Sequence, residues 1–158
     1  MFTLATYTAV HVVVSLIGIV SGLVVLAGLL TSRRFEPATQ VFLSTTVLTS
    51  LTAFGFPFDH LLPSHIVALL SLVILAVAIY ARYGGKLAGP WRRTYAVTAV
   101  LALYFNVFVL VVQSFRRVPA LKELAPTQSE PPFAIAQLTV LVIFVALTVA
   151  AAVRFRPK

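Results

Sequence analysis

Apolar residues in this chain come in long unbroken runs rather than in stripes separated by polar faces. A helix crossing a bilayer needs about 20 such residues, because it rises about 1.5 Å per residue and the hydrocarbon layer is about 30 Å thick. Five runs approach or meet that length and predict helices over residues 7–30, 41–58, 65–83, 94–114 and 133–153. The second is the shortest, and it carries Ser44, Thr45, Thr46, Thr49, Ser50 and Thr52. Such hydroxyls bond back to their own helix carbonyls and are compatible with a span; if this run does not cross, four spans remain. Glu36-Pro37, Pro63-Ser64 and Gly84-Gly85 with Gly89-Pro90 are the breakers between runs. The longest connection, residues 115–132, contains Pro119, Pro126, Pro131 and Pro132 and reads as an ordered cap or a mobile loop on one face. The expected fold is all-α: one integral membrane helical bundle over residues 1–158. The first run is expected to be a retained span, since no basic residue precedes Arg33 and its apolar length exceeds that of a signal peptide.

Composition points the same way. Of 158 residues, 60% are hydrophobic and 10% charged, far from the charged fraction of about 25% that covers a soluble domain. The 12 basic and 4 acidic residues give a formal charge of +8. The bases sit in short flanks between apolar runs rather than along one helix face, which excludes nucleic acid as the partner and points to the lipid bilayer. With five spans, one side carries Arg33, Arg34, Arg82, Lys86, Arg92, Arg93, Arg154, Arg156 and Lys158. The other carries Arg116, Arg117 and Lys122, balanced by Asp59, Glu123 and Glu130. The positive-inside rule then puts the N-terminus outside and the C-terminus in the cytoplasm. Trp91, Tyr83 and Tyr95 bracket the basic loop as an aromatic belt would. With no cysteine in the chain, disulfides, thiolate metal sites and iron–sulfur clusters are excluded.

Helices in lipid associate through small residues and interhelical hydrogen bonds. In the first run, Thr8, His11, Ser15, Gly18 and Gly22 are spaced along one helix side, and Ser15, Gly18 and Gly22 are the expected packing seam. Two more lines should face protein: Ala99, Ala102, Asn106, Val109 and Gln113, and Gln137, Leu141, Phe144, Thr148 and Ala151. No run has an acidic or basic residue near its centre, where coupled transporters keep one.

The candidate chemistry collects on the predicted outer side. His11, His60 and His65 all fall there, and a b-type haem or a transition metal held by His11 and His65, with His60 as substitute ligand, is one reading. The alternative leaves His11 hydrogen-bonded within the bundle and His60 and His65 at headgroup level, beside a helix cap from Asp59 or Ser64. Asp59, Asn106, Gln113, Gln128, Glu130 and Gln137 form a polar cluster at similar depth. Phe54, Phe56 and Phe58 end the second run, as packing residues or as a niche for a lipid or quinone tail.

The run from Tyr104 through Asn106 and Gln113 to Phe115, followed by Val118-Pro119-Ala120-Leu121 and Leu124-Ala125-Pro126-Thr127-Gln128-Ser129-Glu130-Pro131-Pro132-Phe133, resembles a stretch of small uncharacterised multi-pass inner-membrane proteins of bacteria. The resemblance implies a bacterial inner membrane and assigns no catalytic residue. Three functions compete. The first is a non-enzymatic accessory or self-associating membrane component, as a homo-oligomer or within a larger complex. The second is a haem- or metal-binding redox protein, and the third a small carrier for an apolar solute. Hydrolytic and nucleotide chemistry lacks its motifs: no G-x-S-x-G, H-E-x-x-H or P-loop occurs.

Overall fold

The computed structural model describes residues 3–158, which contain six α-helices and no strand. Helix α1 is Leu4–Thr31, α2 Glu36–Thr52, α3 Pro63–Ile79, α4 Pro90–Arg117, α5 Pro119–Leu124 and α6 Pro131–Arg154. A 3-10 turn, Ala53–Gly55, follows α2, and a π-helical turn, Tyr80–Gly84, prolongs α3. Four segments are long and apolar enough to cross a membrane: Leu4–Thr31, Pro63–Gly84, Pro90–Arg117 and Pro131–Arg154. The chain is therefore a multi-pass membrane protein.

The remaining run departs from its predicted position. Expected over residues 41–58, the helix occupies Glu36–Thr52 instead. Pro37 is the reason at the start: in the first turn of a helix its missing N–H and fixed φ fit, so Glu36-Pro37 opens the helix rather than breaking it. At the end, Pro57 holds Phe56 in an extended conformation, with φ −77° and ψ 144°. The helix has 17 residues, a rise of about 25 Å. It nevertheless runs antiparallel to α1 along nearly all of that helix. Phe35 lies against Gly28, Phe42 against Gly22, Thr45 and Thr46 against Gly18, and Thr52 beside Tyr7 and His11.

Helix α4 is central, touching α1, α3, α5 and α6. Tyr95, Ala96, Ala99, Val100, Ala102 and Leu103 on α4 are fully buried against Leu26 and Leu29 of α1, Phe42 of α2 and Leu75 of α3. The tight core stops there: from Tyr104 to Ser114 no α4 residue is fully buried. Around the outside, Val20, Val73, Val142 and Val149 are each at least 58% exposed, as aliphatic side chains facing lipid tails would be.

Candidate functional site

The two ends of the bundle differ in chemistry. At one end three ties join distant segments. The Ser32 hydroxyl accepts from the Arg156 N–H at 2.6 Å; the Arg82 guanidinium pairs with Glu36; and Arg92 donates to the Phe155 carbonyl. These ties gather the segments bearing nine of the basic residues into one basic pole. One expectation changes here. Arg82, counted among the bases of this side, is 6% exposed, with its guanidinium 5.0 Å from the centre of the Tyr95 ring. Tyr95 is not part of an aromatic belt but lies 1% exposed beneath that guanidinium. Glu36 was the available signal, being the one acid in the flanks that carry these bases.

At the opposite pole the histidines have separate environments. His11 Nδ1 lies 2.7 Å from Thr52 Oγ1. That hydroxyl spends its proton on the Leu48 carbonyl, so the network makes His11 Nδ1 the donor and leaves the Nε2 lone pair free. His65 has the opposite tautomer. Its Nδ1 accepts from the Leu62 N–H at 3.0 Å while the His65 backbone N–H donates to the Leu62 carbonyl, which caps α3. The cap therefore comes from His65 itself rather than from Asp59 or Ser64. Its Nε2 carries the proton, and a metal there would require His65 to give up the cap. Residues 54–58 touch His11 through Phe56 and His65 through Phe54 and Phe58. Asp59 and His60 are exposed in the connection that follows. Among the described residues no group of three or more histidines and carboxylates is placed to hold a metal ion.

The polar cluster disperses. Asn106 donates to Thr46 on α2 at 3.3 Å. Gln137 on α6 donates to the Phe108 carbonyl at 3.2 Å. Only Gln113 and Gln128 share a space, and it is a cavity of about 750 Å³ between the start of α3, the far half of α4 and the segment carrying α5. Val67, Phe108, Val109 and Val112 give it an apolar wall, and Arg116 and Lys122 line it as well. In that segment Gln128 donates to the Val112 carbonyl. The Glu130 carboxylate accepts from the Thr127 N–H and hydroxyl and from the Ser129 N–H. Those bonds, the Thr127 hydroxyl foremost, hold the Glu130 carboxyl below the usual glutamate range. Residues 118–130 thus form an ordered cap roofing the cavity.

Of the seam residues, Gly18 and Gly22 are buried against α2 and α4, while the Ser15 hydroxyl bonds the Val12 carbonyl of its own helix.

No family model, curated protein or solved structure matches the chain.

Proposed function

We propose that this is a five-pass protein of the bacterial inner membrane, N-terminus outside and C-terminus cytoplasmic. It serves as a non-enzymatic component that works through its cap, within a homo-oligomer or a larger membrane complex. Support for five passes comes from α2 lying alongside α1 from Gly28 to Tyr7, so that its short apolar run travels from one pole to the other. Gathering nine basic residues at one pole supports the orientation.

The observation that carries the functional reading is the cap. Residues 118–130 are fixed by the Glu130 and Gln128 hydrogen bonds, yet Val118 and Leu124 remain 44% and 55% exposed on it. An ordered surface segment presenting apolar side chains is suited to contact with another protein. A photo-crosslinking residue at Glu123, itself exposed on the cap, tests this in native membranes. Irradiation should give one discrete adduct, whose mass distinguishes a second copy from another subunit. A chain that stays monomeric and free of adducts at several cap positions defeats the reading. The redox alternative has its own test: a purified sample showing neither Soret absorbance nor stoichiometric metal rules it out.

A further inference from the structure

The cavity beneath the cap has a polarity gradient along the bundle axis. On α4 the lining runs from Phe108, Val109 and Val112 through Gln113 and Phe115 to Arg116. From Phe108 to Arg116 the helix rises about 12 Å, so the wall changes from hydrocarbon-like to cationic over that depth. Lys122, from α5, adds a second positive charge on the roof side. No carboxylate lines the cavity, and Arg82–Glu36 is the only ion pair among the described residues. The cavity's two cations therefore have no acidic partner among the described residues. On α3, Val67 lines the cavity while Leu70, three residues on, is 47% exposed, so the helix that walls the cavity also carries lipid-facing side chains. At about 750 Å³ the space falls within the range of about 300–1,000 Å³ typical of ligand pockets.

An occupant must match these features together: anionic at the level of Arg116 and Lys122, apolar below, and able to arrive from the side. We propose that the cavity holds the phosphate headgroup of an anionic membrane lipid, with an acyl chain lying along α4 from Val112 to Phe108. Arg116 and Lys122 form charge-assisted hydrogen bonds to the phosphate, and Val67, Val109 and Val112 cover the chain. This rests on the cap being the working surface, and gives that surface a lipid as its underside.

Native mass spectrometry of the detergent-purified full chain is the test, titrating phosphatidylglycerol, phosphatidylcholine and inorganic phosphate separately. One equivalent of phosphatidylglycerol should bind roughly tenfold or more tightly than phosphatidylcholine, whose choline cation cancels the charge of its phosphate and is repelled by Arg116 and Lys122. The Arg116→Gln/Lys122→Gln double variant should erase most of that preference. Val109→Trp, which fills the apolar wall, should reduce binding of the lipid. Arg33→Gln/Arg34→Gln at the basic pole should leave it unchanged.

Equal binding of the two lipids by the unaltered chain overturns the proposal without depending on any variant folding. An equal loss in the basic-pole variant also overturns it, by showing surface charge alone at work. Inorganic phosphate that displaces the lipid completely would assign the site to a free anion instead. Loss of cap crosslinking with lipid binding intact removes only the accessory reading. Intact crosslinking with no lipid preference removes only this one.

Discussion

A Cβ added at Gly22 would stand 2.7 Å from Leu103 Cδ1 and 2.9 Å from two ring carbons of Phe42. Both neighbours are fully buried, at 1% and 0% exposure, so neither can swing aside without disturbing the packed centre of the bundle. Gly22→Ala should cost about 1–3 kcal/mol, the range for overpacking, and lower the thermal midpoint in detergent. Ser15→Ala, at a hydroxyl bonded to its own helix, should stay within about 0.5 kcal/mol. A Gly22→Ala protein as stable as the original would mean that α1 and α4 approach less closely than described. Spacings of three and four place Gly18 and Gly22 on one side of a helix, but spacing alone does not name what fills that side. The fillers, Phe42 and Leu103, come from distant segments. His65 is a similar case. Its role as a cap depends on the turn at Leu62, which no periodicity marks.

Whole elements show where reading in one dimension reaches its limit. Glu36-Pro37 has two meanings in sequence, breaker or opening turn, and its neighbours in space select the second. Arg82 donates to the Glu36 carboxylate at the head of α2, where negative charge also suits the helix dipole. In the connection 115–132, four prolines are compatible with order and with mobility alike. Order is set by Glu130, whose carboxylate gathers three donors.

That arrangement has a pH signature. Because the Glu130 pKa is lowered in the folded state, its contribution is complete above the ordinary glutamate range and is lost as the pH falls through the lowered value. Amide exchange at Thr127 and Ser129, corrected for intrinsic rates, should speed up on acidification from about pH 6 to about pH 3, across the carboxylate range. In Glu130→Gln it should be fast throughout. Unchanged protection at low pH in the original chain would deny Glu130 this part.

At the scale of the whole molecule, the four long spans were legible because bilayer crossing depends on run length and hydropathy, both properties of contiguous sequence. The α2 segment, short and rich in hydroxyls, carries no such signal, and its path is visible only from its neighbours on α1. Cysteine-free, the chain accepts single cysteines as reporters of sidedness. With five passes, an Asp59→Cys protein should react with an impermeant maleimide from outside intact cells, and Arg34→Cys only after permeabilisation. Labelling of both from one side would leave α2 on the membrane surface and return the count to four.

The ties at the basic pole also order events in time. Ser32 at the end of α1 is joined to Arg156, 124 residues later, and Arg92 at the start of α4 is joined to the Phe155 carbonyl. At about 5–20 residues per second, a ribosome needs about 6–25 s to travel from the first of these positions to the last. From the completion of α2 at Thr52 until the end of that interval, the α1–α2 hairpin waits with its closing partner still unmade. The small-residue seam that holds the hairpin together is thus what guards the nascent chain until its latch arrives.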